Sequence, residues 1–172
     1  IAVGYKTADA VLWQSEVELL FCEPVSPGKF VMLFTGEVDS VAQSLKRGME
    51  TAGSDLTDKF LIPNLATSVF EAICGRFGDA QLDAIGIIET STVASTIVAA
   101  DVSVKTAVVV PVELRLANQL GGKAFVTLVG EIGDVRAAVS AGADAAKERG
   151  HLLRDITIAG PHPSIARYLR AR

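Results

Sequence analysis

Two Gly-Lys pairs stand where a phosphate-binding loop could be. Gly28-Lys29 lies in "PVSPGKF" and Gly122-Lys123 lies in "LGGKAF", each just before an apolar run. A Walker A loop needs a further glycine five residues upstream and a serine or threonine after the lysine, because its backbone amides cradle phosphates and its hydroxyl holds magnesium. The upstream residue here is glutamate or alanine, and the downstream residue is phenylalanine or alanine. We therefore interpret both pairs as tight turns between strands, where glycine tolerates a positive φ.

Other reactive side chains form no recognisable constellation. Cys22 and Cys74 make no CxxC pair, and with only His151 and His162 beside them the sequence assembles no metal cluster. The nucleophile elbow GxSxG and the zinc motif HExxH are both absent. We predict no catalytic residue, no metal ligand and no cofactor, so the protein is not expected to be an enzyme.

Composition narrows the class of protein further. The chain has 172 residues, 49% hydrophobic and 21% charged, which is enough apolar material for one core or two small ones. Lys and Arg number 6 against 11 Asp and Glu up to residue 80, and 10 against 9 after it, which sums to the net charge of -4. Nucleic-acid binding therefore lacks its basic footprint. No apolar run is long enough to span a membrane, and no signal peptide is recognisable, so we expect a cytosolic protein.

An internal repeat organises the chain. Residues 5–21 align with 97–113, residues 35–53 with 129–147, and residues 60–73 with 156–169, at offsets of 92 to 96. The two Gly-Lys turns fall at the same place in the two copies. Four matches in one order are not chance, so we predict two domains, residues 1–75 and 82–172, joined by the glycine-containing linker 74–81.

The second copy predicts a complete fold. Residues 83–90 read as a strand, 91–107 as a helix capped by Ser91 or Thr92, and 108–116 and the run from Lys123 as two strands. A helix at 134–149 and a last strand from Leu152 complete the order strand, helix, two strands, helix, strand. That order is the ferredoxin-like α/β sandwich, with helices on one face of a four-stranded sheet. The predicted fold class is therefore α/β (α+β), with two tandem ferredoxin-like domains.

The first copy lacks a counterpart to the strand at 83–90, because Ile1 aligns near Val93. Loss of a strand would leave backbone groups of its neighbours unpaired. We expect either residues upstream of Ile1 or another chain to supply that strand, and we favour upstream residues. For the end of this copy, "FLIPNLATSVFEAI" (60–73), we expect a strand, a loop and a short helix.

Several of these motifs together resemble the bacterial microcompartment shell domain. The resemblance is carried in the second copy by the "GIIET" strand, the "AADVSVK" helix, the "GEIGDVRAAVSAG" helix and the closing "PH" loop. The first copy resembles the N-terminal half of tandem shell proteins, especially those related to the propanediol-utilisation trimer. The resemblance covers nearly the whole chain.

Membership of that family would imply a structural protein of a microcompartment in the bacterial cytoplasm. Three chains would form a homotrimeric, pseudohexameric tile, and tiles would join other shell proteins edge to edge around enzymes. The family implies that both Gly-Lys turns face the threefold axis and rim a pore for small polar metabolites. The residues placed there by the resemblance are Ser26, Pro27 and Gly28 from the first copy and Leu120, Gly121 and Gly122 from the second.

Two positions depart from the family pattern. Ser26 stands where the propanediol-utilisation relatives have a cysteine that resembles a ligand of a central iron-sulfur cluster, and a serine hydroxyl is a poor iron ligand. We therefore expect no cluster and an open polar pore. At the tile edge Lys105 matches the family's edge lysine, whereas the first copy has Trp13. The edge arginine is replaced by Asn64 and Gly160, so we expect weaker or selective tiling.

Two alternatives remain open from the sequence. A trimeric ferredoxin-like protein that binds a small regulatory ligand would share the fold, since fold does not fix function. Within the family, a redox shell protein with an iron-sulfur cluster is the other alternative, which Ser26 disfavours.

Overall fold

The computed structural model describes residues 1–79, 81–117 and 119–169, which divide into two compact units, Ile1–Pro63 and Asn64–Arg172. The first unit is a helix, a hairpin and a second helix. Its elements are α1 (Ala2–Gln14), β1 (Glu18–Val25), β2 (Lys29–Thr35) and α2 (Val38–Ala52), followed by a 3-10 turn at Gly53–Asp55. The strands pair antiparallel, and α1 packs along α2 with Ala8 and Val11 buried.

The second unit contains a four-stranded antiparallel sheet in the order β4-β5-β3-β6. Its elements are α3 (Thr67–Ile73), β3 (Ala84–Thr90), α4 (Val93–Thr106), β4 (Val110–Leu116), β5 (Ala124–Gly130), α5 (Ile132–Glu148), β6 (Leu152–Ala159) and a 3-10 turn at Pro163–Tyr168. From β3 to β6, this is the predicted ferredoxin-like order. Helices α4 and α5 pack against each other and on β3, and Ile88 on β3 and Ile97 on α4 are fully buried.

Local signals placed the start of α4 and the end of α5 correctly, whereas α5 begins at Ile132, two residues before the expected start. The Thr92 side chain caps α4, because its Oγ1 accepts the backbone N–H of Ser95 at 3.3 Å. Gly150 follows α5 with φ +73°, a left-handed conformation that glycine adopts without strain, and its N–H closes the helix on Lys147 O at 2.8 Å. Pro111 lies where the β4–β5 register shifts, as expected for a residue that cannot donate to the ladder.

The repeat is visible in how the helices cross. In the second unit Ser103 Oγ on α4 donates to Ala138 O on α5 at 2.9 Å. In the first unit Ser44 Oγ on α2 donates to Val11 O on α1 at 3.1 Å. Val11 aligns with Ser103, and Ser44 aligns with Ala138. The same buried hydrogen bond therefore joins both helix pairs, with the serine on opposite helices.

The prediction of a strand at the end of the first copy is wrong. Residues 56–62 form no strand, although the first copy was expected to hold one beginning at Phe60. In the second unit the equivalent strand, β6, pairs only with β3. Residues 1–63 contain no counterpart to β3, so the segment lacks the strand with which β6 forms its ladder in the second unit.

The short helix of that segment, α3, does form. It lies in the unit Asn64–Arg172, where it packs on β4 and α4. Along the sequence, the boundary between the two compact units thus falls after Pro63, whereas the repeat places the end of the first domain at residue 75. That domain boundary stays a prediction.

Candidate functional site

The first Gly-Lys turn is a three-residue hairpin loop. Val25 pairs with Lys29 at the ends of β1 and β2, and Gly28 N–H donates to Val25 O at 2.9 Å. Gly28 has φ +102°, where a residue with a side chain would be strained. Ser26, Pro27 and Gly28 are all exposed. The tip therefore presents a hydroxyl, a proline ring and backbone groups to whatever lies in front of it.

The second Gly-Lys turn is longer than the first and contains two hydrogen-bonded turns. Between Leu116 and Ala124 the chain closes two successive turns, with Leu120 N–H on Ala117 O and Lys123 N–H on Leu120 O, both at 3.2 Å. Gly121 and Gly122 have φ values of +63° and +79°. Gly121 is exposed, Leu120 is half-buried and Gly122 is buried. Of the three residues assigned to a pore rim, Leu120 and Gly121 thus provide the accessible surface within one chain.

Lys123 does not act as a phosphate-loop lysine. Its Nζ lies 3.4 Å from Glu89 Oε1, which places a carboxylate where a phosphate would need to approach. This geometry agrees with the interpretation of "LGGKAF" as a structural turn. The first tip thus offers a hydroxyl and backbone groups, and the second offers backbone groups and the half-buried Leu120.

The predicted edge residue Lys105 takes part in a local network. Its Nζ donates to Asp101 Oδ2 at 2.6 Å and to Asn64 O at 2.5 Å, while its side chain remains 45% exposed. Asp101 is buried, and its second oxygen accepts the N–H of Ala66 at 2.8 Å. Together Asp101 and Lys105 fasten the loop before α3 to helix α4.

Trp13 occupies the equivalent place on α1 but makes no such network. Its side chain is 84% exposed, the most exposed large apolar residue of the described chain. It borders an open groove of about 600 Å³ between α1 and α2, together with Asp9, Arg47 and Glu50. Trp13 is thus a surface residue and not part of the core, which is compatible with its assignment to an edge.

The cysteines provide no substitute for the absent cysteine at position 26. Cys22 lies within β1 opposite Met32, and burial raises the pKa of its thiol above the ordinary value of 9.0, which disfavours the thiolate that iron requires. Cys74 is exposed, at the end of α3. Within residues 1–79, 81–117 and 119–169, no three His, Cys, Asp or Glu side chains are grouped as metal ligands would be. In the same residues no helix has the length and apolarity needed to cross a bilayer.

Sequence reasoning missed the role of Asp101. The repeat aligns Asp101 with Asp9, but that alignment alone assigns no contact to either residue. The available signal was an aspartate four residues before a lysine in an otherwise apolar helix, because an i, i+4 pair lies on one face. The third member of the network, the backbone of the loop at residues 64–66, carries no side-chain signal.

The duplicated module, with a strand turn at the same place in each copy, defines the class of protein as a tandem α/β protein, and comparison with known proteins identifies its family. The family model described as the BMC domain matches residues 1–65 and again 84–161. The chain therefore belongs to the BMC-domain family of bacterial microcompartment proteins.

Particular relatives extend this result over the whole chain. The chain is 37% identical over 169 residues to the bacterial microcompartment shell protein PduT of Citrobacter freundii, covering 98% of this chain and 92% of the relative. A crystal structure of a microcompartment protein from Desulfitobacterium hafniense DCB is 41% identical with a TM-score of 0.86, covering 97% of this chain and 93% of that one. The shell protein PduA of Citrobacter freundii is 35% identical over 91 residues, 52% of this chain and 94% of the relative, so one relative is a single copy long.

These matches confirm the family resemblance, the tandem fold and the microcompartment class drawn from the sequence. They also indicate a structural family that assembles with other shell proteins.

Proposed function

We propose that this protein is a structural shell protein of a bacterial microcompartment in the cytoplasm, and that three chains form a pseudohexagonal tile with a central pore. The observation that carries the proposal is the pair of exposed strand turns at equivalent places in two copies of one fold. Three chains around a threefold axis would bring six such turns together, since cyclic symmetry repeats every surface loop around the axis. The two domains of each chain would be residues 1–75 and 82–172.

Ser26 would set the chemistry of the pore. Its exposed hydroxyl, with the backbone of Pro27 and Gly28, would alternate with Leu120, Gly121 and the adjacent Gly122 around the rim. Hydroxyls and carbonyls replace part of the hydration shell of small polar solutes, which supports passage of metabolites. Because the hydroxyl is a poor iron ligand and burial raises the pKa of Cys22, the axis would hold no iron-sulfur cluster.

Lys105 and Trp13 would lie near the outer edge of the tile, at the outer end of the seam between adjacent domains, so that each could contact both the next domain of its own tile and a neighbouring shell protein. Edges that carry Lys105 and edges that carry Trp13 would then differ in partner choice. Encapsulated enzymes would contact the tile without any catalytic contribution from it.

The test of the class combines mass and microscopy. Purified protein should have the mass of three chains and show hexagonal tiles or sheets in negative stain. A monomer at all concentrations would overturn the proposal. Anaerobic iron and sulfide analysis tests the pore separately, because a stoichiometric cluster in the native protein would overturn the role of Ser26 and leave the tile intact.

Placement of the turn at the axis can be tested by cross-linking. Ser26→Cys, in a chain whose Cys22 and Cys74 are replaced by alanine, should give disulfide-linked dimers on oxidation, because a disulfide needs Cα atoms about 4.4–6.8 Å apart and residues that rim one axis would be the ones to approach each other. The matched control is Ser54→Cys, at an exposed position of the 3-10 turn in the same unit. Equal cross-linking of both variants would refute the axial placement.

A further inference from the structure

Helix α4 already carries the closing segment of the first copy. The N–H of Ala66 donates to Asp101, the carbonyl of Asn64 accepts from Lys105, and α3 packs behind them on α4 and β4. Val69 and Ala72 of this segment are buried as a result. One repeat of the fold therefore shows how a closing segment docks on the first helix of a shell domain.

Helix α1 is the repeat of α4, and its matching surface is empty in the described chain. Asp9 aligns with Asp101 but is exposed, and its carboxylate has no hydrogen-bond or ion-pair partner within the described residues. Trp13 aligns with Lys105 and is also exposed. Both residues border the groove between α1 and α2.

The closing segment of the second copy has the matching shape and is also without a docking partner. Ala66 aligns with His162, and the two have nearly the same backbone conformation, with φ and ψ of -59° and 134° against -58° and 131°. Each lies just before a short helix. The N–H of His162 donates to no acceptor in the described part of the chain, whereas that of Ala66 reaches Asp101.

Side chains behind His162 point to the same conclusion. Val69 aligns with Ile165 and Ala72 aligns with Tyr168. The first copy buries both of its residues, whereas Ile165 is half-buried and Tyr168 is 64% exposed. The Asp9 carboxylate on α1 thus lacks a donor, and the His162 N–H lacks an acceptor, within the described residues. An exposed apolar side chain lies near each of them, Trp13 near Asp9 and Tyr168 near His162.

We propose that residues 161–169 of one copy dock on α1 of a second copy, where Asp9 accepts the backbone N–H of His162 and Trp13 covers the loop around Pro161. The partner of this groove is another molecule of the same chain. The contact is head-to-tail, and such contacts generate a closed ring when the rotation between copies closes. The proposal rests on the trimer proposed above and names the residues that hold it together.

Trp13 then has a defined role. At this position the second copy has Lys105, which donates to the carbonyl of Asn64; an indole has a shorter reach, but packs well against proline. The contact between copies therefore exchanges a lysine hydrogen bond for apolar burial. Since Trp13 is the only tryptophan of the chain, its fluorescence reports this contact directly.

The test separates the His162 N–H from the imidazole. His162→Pro removes the N–H at a φ of -58° that proline adopts, whereas His162→Ala keeps it. Asp9→Asn removes the charge of the acceptor, and Asp144→Asn is the matched control at an exposed aspartate of α5. The full chain would be followed by sedimentation and mass photometry over a dilution series, with Trp13 quenching by acrylamide and circular dichroism to verify folding.

We expect the concentration of half-dissociation to rise at least about tenfold for Asp9→Asn and His162→Pro, because each of the three interfaces of the trimer loses one charge-assisted hydrogen bond. Trp13 should become quenchable at the concentrations where the trimer dissociates. His162→Ala and Asp144→Asn should behave as wild type.

Each other outcome counts against a specific statement. If wild type is trimeric and all four variants are equally stable trimers, the docking contact is wrong and the tile stands. If His162→Ala weakens the trimer as much as His162→Pro, the imidazole and not the N–H makes the contact, and the proposal is overturned. If wild type never trimerises, the proposed function fails first.

Discussion

A methyl group added at Gly142 tests how closely the helices of the second unit must approach. A Cβ at this position of α5 would lie 2.7 Å from Ala99 O on α4 and 2.7 Å from Ile88 Cδ1 on β3, and it would also collide with Ser103 Oγ. The first of these atoms belongs to the backbone and cannot rotate away. Ser103 Oγ is the donor of the buried bond to Ala138 O, so the collision also threatens that bond.

The magnitude follows from three terms. Overpacking of a tight core costs about 1 to 3 kcal/mol, and loss of the buried hydrogen bond costs about 1 kcal/mol. The gain in helix propensity from glycine to alanine offsets about 1 kcal/mol. We expect Gly142→Ala to lower the free energy of unfolding by about 1 to 3 kcal/mol, which corresponds to about 2 to 12 °C in Tm for a chain of this length.

The repeat supplies the matched control. Gly48 occupies the same place on α2, but a Cβ there would meet only side-chain atoms, Val11 Cγ2 at 3.0 Å and Thr7 Cγ2 at 3.5 Å. These methyl groups can move by a few tenths of an ångström, so Gly48→Ala should change Tm much less than Gly142→Ala. Thermal unfolding by circular dichroism, at one protein concentration and with the oligomeric state verified, measures both. A Gly142→Ala protein as stable as Gly48→Ala would refute the close-approach argument.

Three further predictions concern charge, assembly and thiol reactivity. Burial raises the pKa of Glu113 above its ordinary value of 4.5, although Arg115 and a hydrogen bond with Thr127 act in the opposite direction. Because the folded state then binds the proton more tightly than the unfolded state, the free energy of unfolding falls as pH rises through the folded-state pKa. Glu113→Gln should therefore gain stability relative to wild type at neutral pH, with the advantage shrinking as pH falls towards 4.5, and a pH-independent difference in Tm would contradict this. Lys105→Ala should impair sheets in negative stain while the trimer mass persists, with Lys147→Ala as the control at an exposed lysine of α5; normal sheets would count against the edge role. Cys74 should react with iodoacetamide well before Cys22, because Cys22 is half-buried and its pKa is raised, and peptide mass spectrometry showing equal rates would be inconsistent with the structure.

The fold was largely predictable because its signals are local and repeated. Each of these signals depends on a few neighbouring residues: the alternating apolar runs of the strands, the Thr92 cap and the Gly150 at the helix end. The order helix, hairpin, helix occurs in both copies of the repeat, so one copy supports the interpretation of the other. The strand expected from Phe60 failed because strand formation depends on a neighbour, and residues 1–63 contain no counterpart to β3. A pattern within one segment carries no information about whether its partner strand is present.

The candidate site was predictable only in part, for a related reason. The position of both turns followed from the repeat, but the burial of Gly122 and the exposure of Gly121 depend on the turns that the N–H groups of Leu120 and Lys123 close. The network at Asp101 escaped detection because two of its members are backbone groups of Asn64 and Ala66. Every residue has a backbone carbonyl and every residue except proline has an amide N–H, so composition cannot reveal the network.

The two copies use different residues for an interaction that several side chains can make, and the same residue for the carboxylate that accepts a backbone N–H. At the helix crossing the serine donor has changed sides, from α4 in one copy to α2 in the other, because either helix can supply a hydroxyl to a carbonyl opposite. The aspartate is present in both copies, at Asp9 and Asp101, and it accepts an amide that every residue except proline provides. In the first copy Asp9 is exposed, so an ion pair between it and a lysine at position 13 would contribute little. Trp13 in place of a lysine therefore costs little stability at that position and adds an apolar surface. The two copies thus differ at the docking surface of their first helix, which is occupied within the chain in the second copy and is proposed to be occupied by another chain in the first.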